Sequence, residues 1–384
     1  MALALVLLIG SGLMFRSFQA LRAMDPGFEA ENVLTARITI PGAEMSSAEE
    51  VDAFFRTLKD QLEAQQGVTA VGFGGSAPLT SGLPYYNIHM EDHPRAEGED
   101  PTFASHNLVT PGFFEALGID VVEGRAFQSG DGATGQRVAI VGRSFAEQWW
   151  PDQSPIGRRV NASGGDWWEI VGVVEDARYE TIEEVTTEMV YWPSMTGAAD
   201  EPQAQRSMDV VIKMSSDPSS FVPVLRREVR TLNSRIPVSN PRTMESVLGA
   251  ATSRTSFTMA LLGAASGIAL LLGLVGIYGV ISYVVSQRTR EIGVRMALGA
   301  TASSVRSMVV RQGLILAAGG VVLGLAAAAA LSSVMASILF GVSATDPVTY
   351  VSVAAAQVVV SLLASWIPAT RAAGVDPSRA LRSE

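Results

Sequence analysis

The stretch Ser286 to Gln312, SQRTREIGVRMALGATASSVRSMVVRQ, sets Arg288, Arg290, Arg295, Arg306 and Arg311 against a single acid, Glu291. On both sides the charges stop. Thr255 to Gln287 and Gln312 to Thr345 are uncharged and mostly Ala, Leu, Val, Gly and Ile. Each run has about 33 residues, well beyond the ~20 that a helix needs to cross a bilayer core. A charge at the centre of a membrane helix costs on the order of 3 kcal/mol, so two such lengths without one are informative. The arginine-rich stretch is a short connection between two membrane-spanning helices, and its positive charge places it in the cytoplasm.

Composition agrees. Hydrophobic residues make up 48% of the 384 and charged residues only 17%. The formal charge of −10 conceals a division. Asp25 to Ala250 holds 34 acids and 17 bases, a net −17, while the rest of the chain carries +7. An acidic soluble region and a basic membrane region share one chain, and the soluble part would repel a nucleic-acid backbone. Cysteine is absent, which excludes disulfides, thiol catalysis and Cys-based metal sites.

At the start, Met1 to Phe15 (MALALVLLIGSGLMF) is uncharged and is followed by Arg16 and Arg22. A signal peptide is one reading. Against it, the run has no basic n-region and the arginines follow the apolar segment directly. A first transmembrane helix over 1–24 is the preferred reading. Fifteen residues make about 22 Å of helix, short of the ~30 Å core. Either Ser17 to Met24 extends it, or the helix begins upstream of Met1 in a longer protein.

Residues 25–243 have the pattern of an α+β domain. Val33 to Ile40 alternates and is β-branched, so it predicts a strand. Ser47 to Gln65 has helical spacing through Val51, Phe54, Phe55, Leu58 and Leu62, with Ser46 or Ser47 to cap it. Val68 to Phe73 is a second strand. The same β-α-β order returns as Met208 to Met214, Asp217 to Leu232 and Ile236 to Ser239. Two separated halves predict a split ferredoxin-like subdomain with the chain between them, about 102–206, as a strand-rich insert. In that insert, strands are expected at Arg137–Val141, Arg158–Asn161, Trp168–Val174 and Glu188–Trp192, and helices at Pro111–Leu117 and Gly142–Trp150.

Chemical sites in this region are sparse. His89 and His93 have the four-residue spacing of metal ligands on a helix, but Pro94 follows and Tyr85 to Met90 is extended, so a solvated loop is the simpler reading. His106 has no acid or nucleophile near it in sequence. Gly72 to Gly75 could cradle a phosphate, yet the only lysines are Lys59 and Lys213 and neither follows a glycine-rich loop. No cofactor and no catalytic constellation is expected. Trp149-Trp150 and Trp167-Trp168 are either a binding platform or core, and core is favoured.

The membrane part begins at 244. Spanning helices are expected at about 257–285, 313–339 and 348–367, with a cytoplasmic loop at 286–312 and a cytoplasmic tail at 369–384. Met244 to Thr255 continues into the first of these without a break. Gly263 and Gly267 have the small-xxx-small spacing that lets helices approach closely. That pattern fits oligomer packing, and it equally fits the general abundance of Gly in membrane helices. Trp366 near the end of the last span is an interface anchor.

Arg288 to Ala300, RTREIGVRMALGA, set between two such helices, closely resembles the signature loop of ABC-transporter permeases of the FtsX/MacB kind. Pro368 to Arg382, PATRAAGVDPSRALR, looks like their C-terminal motif. TPGFFEALGIDVVEGRAF (Thr110 to Phe127) and WWPDQSPIGRRV (Trp149 to Val160) resemble the MacB-type periplasmic core. The wording is most similar to one half, the second, of the duplicated orphan permeases. Unlike MacB itself, the sequence carries no fused ATPase domain.

The resemblance implies a bundle of four transmembrane helices with an α+β periplasmic domain in the inner membrane. It implies a non-enzymatic permease, coupling a partner ABC ATPase to movement of the periplasmic domain in an exporter. Its implied partners are a second permease copy or related half, membrane lipid, and a periplasmic adaptor or outer-membrane channel. An FtsX-like regulator that moves a periplasmic partner and transports nothing is the alternative. The loop then docks on the ATPase as a coupling helix. Glu291 and Arg295 are i,i+4 in the favourable order, Ile292 and Met296 make an apolar face, and Gly299 suits a helix end. Arg288 and Arg290 complete the expected docking set. A pure topology signal would need only the arginines, so the apolar face favours docking.

Overall fold

The computed structural model describes residues 2–95, 98–132, 136–198, 201–298, 300–331 and 339–373. Two compact units emerge: Asp25–Thr252, and Met1–Met24 together with Ser253–Glu384. The chain opens with an apolar helix of the second unit, α1 (Ala2–Arg22).

The soluble unit is built on β1 (Val33–Thr39), α2 (Ala48–Glu63), β2 (Val68–Gly74), β12 (Ser207–Met214), α5 (Val222–Leu232) and β13 (Val238–Thr243). Their strands run in the order β13-β1-β12-β2, each pair antiparallel. This is the split ferredoxin-like arrangement. Val51, Phe54, Phe55, Leu58 and Leu62 of α2, with Leu225 and Val229 of α5, are buried against Ile38, Phe73, Val210 and Ile212. Each such side chain contributes about 1.5–3 kcal/mol by leaving water. Both predicted serines serve the start of α2: Glu50 N–H donates to Ser47 Oγ (3.2 Å), while the Ser46 and Ser47 amides donate to the Glu50 carboxylate. Those amides, Ser46 first, hold Glu50 below the usual carboxylate range.

On the other face of this sheet, Val33, Ala70 and Val211 pack with Phe113, Phe114 and Leu117 of α3 (Phe113–Leu117). Gly72 makes that approach possible, because a Cβ there would lie 2.3 Å from Phe113 Cα. Met244 and Val247 belong to the same cluster, so this compact unit ends at Thr252 and not at residue 243.

The insert holds β3 (Tyr85–Met90), β4 (Phe103–Val109), β5 (Val121–Gly124), β6 (Val138–Gly142), α4 (Arg143–Trp149), β7 (Arg159–Ala162), β8 (Trp168–Val174) and β9 (Met189–Pro193). A hairpin of β10 (Met195–Ala198) and β11 (Glu201–Ala204) follows. Pairing runs β4-β3-β7-β8-β6-β9 and returns from β9 to β4, so six strands close on themselves. Because β3 pairs with β4 and β7, the insert starts just after β2 rather than near 102. Alternate residues divide between two clusters. Ala104, Ala139, Val141, Val190 and Trp192 join Phe145 and Trp150, whereas Val109, Val138, Ile140 and Tyr191 join the cluster around α3.

The second unit holds α6 (Met244–Gln287) from Ser253 onward, with α7 (Thr289–Ala297), α8 (Ala302–Ala330) and α9 (Pro347–Ala373). Four segments are long and apolar enough to cross a membrane: Ala2–Arg22, Phe257–Gln287, Ala302–Ala330 and Pro347–Thr370. The third begins earlier than its uncharged run, because Arg306 and Arg311 lie within its first turns. Val305, Val309, Gly313, Ala317, Gly320, Gly324 and Ala328 form the buried face of α8. A Cβ on Gly313 would meet Ser365 Oγ at 2.2 Å, and one on Gly324 would meet Leu5 at 2.7 Å. The predicted small-residue pair behaves differently, since a Cβ on Gly263 or Gly267 meets nothing within 4 Å.

Polar contacts fasten α1. Ser17 Oγ accepts from Phe340 N–H (2.7 Å), Ser266 Oγ donates to the Leu7 carbonyl (2.8 Å), and Arg16 pairs with Asp346. The Thr349 hydroxyl and amide, with Arg16, hold Asp346 below the usual carboxylate range.

Candidate functional site

The arginine-rich connection folds as a short helix between two spanning helices. Arg288, at φ −101 and ψ 11, is the N-cap residue of α7 without a side-chain cap. Glu291 lies in the first turn and Arg295 in the last, the placement that complements the helix dipole. Ile292 is only 2% exposed and shares a buried cluster with Ile277, Ile281, Val305, Val309 and Ala369. Met296 packs at its edge. Beyond the helix, Ala300 N–H donates to the Arg295 carbonyl (2.9 Å), and Thr301 Oγ1 accepts from Ser304 N–H at the start of α8. The helix is thus fixed onto α6, α8 and α9 by one apolar stripe.

This changes which residues face outward. The expected docking face of Ile292 and Met296 is occupied by the chain's own helices, because residues 292 and 296 share the stripe that seals the helix ends. The exposed side carries Arg288, Glu291, Val294 (40% exposed), Arg295 and Leu298 (83% exposed). Glu291 and Arg295 form an ion pair there, and Arg295 Nη1 lies 3.3 Å from Met308 Sδ. Val294 and Leu298 are not in the docking set expected from the sequence. The signal available was their offset from Ile292 and Met296 by half a helical turn. The Arg290 side chain, Gly299 and the tail from 374 onward lie outside the described residues. Arg306 stands over the Trp366 ring, its guanidinium carbon 5.4 Å from the centroid, so the predicted anchor is half of a cation–π pair.

The histidines go to separate places. His89 lies on β3 with Nε2 3.2 Å from Asn87 Nδ2, and His93 sits beside Asp92 and edge-on to Trp149 and Trp150. Among the described residues no group of three or more His, Asp or Glu gathers as metal ligands. His106 is buried on β4. Each tryptophan pair is split: Trp150 and Trp168 are buried, Trp149 is half-buried and Trp167 is 37% exposed. Asp209 on β12 accepts from Arg37 Nε and Nη2 (2.7 and 2.9 Å), from Ala77 N–H and from the Thr80 hydroxyl, which pins the turn after β2. That hydrogen bonding, Asp209 first, raises the Arg37 pKa.

Residues 1–228 match the family model of the MacB-like periplasmic core domain, and residues 263–377 match that of the FtsX-like permease C-terminal domain. The chain is 26% identical to the macrolide export ATP-binding/permease protein MacB of Marinobacter nauticus over 69% of its own length and 41% of the relative's. It is 24% identical to the ABC transporter permease YknZ of Bacillus subtilis, over 74% of this chain and 72% of that protein. Among solved structures it is similar to the periplasmic region of MacB from Actinobacillus actinomycetemcomitans, at a TM-score of 0.38 and 11% identity, covering 60% of this chain and 96% of that one. The chain therefore spans about two fifths of the MacB relative. With one family model alone matching more than half of the sequence, the chain is a multi-pass inner-membrane protein that belongs to the MacB/FtsX family of ABC-type permeases, a MacB-like periplasmic core domain joined to an FtsX-like permease domain.

Proposed function

We propose that the chain is the permease and mechanotransmission subunit of an ABC-type exporter. In this reading a partner ATPase closes and opens on ATP beneath α7, and the movement passes through the spanning helices to the periplasmic domain. The carrying observation is α7 itself: a helix sealed to its neighbours by Ile292 on one side and presenting Leu298, Val294, Arg295 and Arg288 on the other. A topology signal needs only positive charge. An 83% exposed leucine beside an arginine is what a protein partner could bury. A second permease copy or related half completes the assembly, and an adaptor or outer-membrane channel would receive the substrate.

The chain has no native cysteine, so Leu298→Cys provides a single cross-linking handle. It should cross-link to the ATPase subunit in membranes, in a manner changed by ATP. An ATPase that binds and is stimulated while Leu298→Cys stays uncross-linked would remove α7 from the contact. Activation of a periplasmic enzyme, with no substrate export, would move the chain to the regulatory reading.

A further inference from the structure

The closed ring of strands carries a feature unrelated to the coupling helix. Trp192 Nε1–H donates to His106 Nδ1 at 2.7 Å, and the two rings lie nearly parallel, 24° apart, edge to edge with centroids 5.5 Å apart. An indole N–H can only donate, so Nδ1 holds the lone pair and the proton of the neutral imidazole sits on Nε2. His106 is 3% exposed, and its Nε2 is buried without a hydrogen-bond partner among the described residues. A buried donor left unpaired costs about 1–3 kcal/mol, and such groups usually mark a missing partner.

His106 lines a cleft of about 520 Å³ whose other walls include Tyr86, Leu108, Trp168, Trp192 and Gln203. That size and that mixture of aromatic wall and sparse polar groups match small-molecule sites. Tyr86 stands edge-on to the imidazole, 5.0 Å between centroids, and is 48% exposed. An exposed ring of this kind reorients quickly, so an entering molecule can displace it and reach Nε2. Among the described residues, the one charged side chain lining the cleft besides His106, Asp166, is paired with Arg137 at 3.1 Å. Burial pushes the His106 pKa down to about 4, so the ring offers a donor and no positive charge.

We propose that this cleft binds a neutral aromatic small molecule that presents a carbonyl, ether or hydroxyl oxygen to His106 Nε2–H while its rings pack on Trp192 and Trp168. The ring stacking supplies affinity, and the single donor supplies orientation.

Benzophenone is a suitable probe, having two rings, one carbonyl and photochemistry that marks its own site. With the full chain in detergent, irradiation should label peptides containing Tyr86, Leu108 or Trp192 saturably. His106→Phe keeps ring volume without the donor and should cut that labelling at least tenfold. Gln203→Trp fills the cleft from an exposed position away from the core and should do the same in a protein whose folding is not at risk. Benzhydrol should protect the site at least tenfold better than diphenylmethane, which has the rings and no oxygen. Labelling confined to the spanning helices, equal protection by diphenylmethane, or unchanged labelling in Gln203→Trp would each overturn the proposal. Protection by tetraethylammonium instead would assign the cleft to cations and overturn it likewise.

Discussion

Glu291 and Arg295 pair across one turn on the exposed side of α7, while Ile292, between them in sequence, is buried on the other side. The two sides separate two roles. Ile292 fixes the helix to the membrane bundle, and the paired charges bracket an open surface that ends at Leu298.

The first prediction contrasts those sides. Ile292→Asp places a carboxylate in the cluster of Ile281, Val305 and Val309, at a cost of several kcal/mol. Loss of the folded protein from membranes is expected. Leu298→Asp, at an 83% exposed position, should leave level and melting temperature unchanged and reduce ATPase association or stimulation by tenfold or more. Quantifying membrane level and co-purified ATPase for both variants checks this. Full association in Leu298→Asp would leave α7 as a topological anchor only.

The second prediction concerns glycines. Gly313→Leu drives side-chain atoms into Ser365, since a Cβ alone already comes within 2.2 Å of its hydroxyl. Overpacking of this kind costs about 1–3 kcal/mol, seen as a lowered melting temperature in detergent. Gly263→Leu points into open space within this chain and should leave that temperature alone. If Gly263 and Gly267 serve a helix of a second permease, the same variant weakens pairing measured by cross-linking or light scattering. Neutrality in both measurements would mean that these glycines serve no interface.

The ferredoxin-like half was legible because its cues agree. Alternation in Val33–Ile40, the helical stripe of Val51, Phe54, Phe55, Leu58 and Leu62, and the Ser47–Glu50 capping box all point to one answer. The insert was harder. β4 carries Ser105, His106 and Asn107 in succession, all buried, so its polar text hides a core strand. Asn107 is satisfied by exchanging hydrogen bonds with the Ser76 backbone, a partner far off in sequence. The apolar face of the arginine-rich loop was legible in the sequence, but its facing was not. Helical spacing shows that Ile292 and Met296 share a side, yet only the neighbouring helices decide whether that side faces in or out.

The third prediction tests orientation. Ser303 is exposed at the start of α8, on the arginine-rich side, and Ser129 is exposed in the periplasmic core domain. Ser129 is a better site than the adjacent Gly130, whose φ of +103 would strain any side chain. In intact cells with a permeabilised outer membrane, Ser129→Cys should react with a membrane-impermeant thiol reagent. Ser303→Cys should react only after lysis. Labelling of Ser303→Cys in intact cells would reverse the orientation argued from the arginines.

The last prediction follows from His106 and can be read without any ligand. Burial lowers its folded pKa to about 4, whereas an unfolded histidine titrates near 6.5. Between those values the unfolded state binds more protons, so stability falls as the solution is acidified. The contribution is fully present above about pH 6.5 and is lost progressively as pH drops through about 4. A difference of that size corresponds to an order of 3 kcal/mol. Among the described residues, no positive group on β3, β9 or the β10–β11 hairpin lines the cleft beside the imidazole, where the neighbours are Tyr86, Trp192 and the Arg137-paired Asp166. His106→Gln retains an acceptor for Trp192 Nε1–H and removes the titration. Urea unfolding of the periplasmic core domain within the full chain, followed by tryptophan fluorescence, should show the wild type losing stability more steeply than His106→Gln between pH 6.5 and 4. The two proteins should run parallel from pH 7 to 8. Parallel curves across the acid range as well would show that His106 is not held neutral by burial, and the assignment of its proton to Nε2 would lose its basis below pH 6.5.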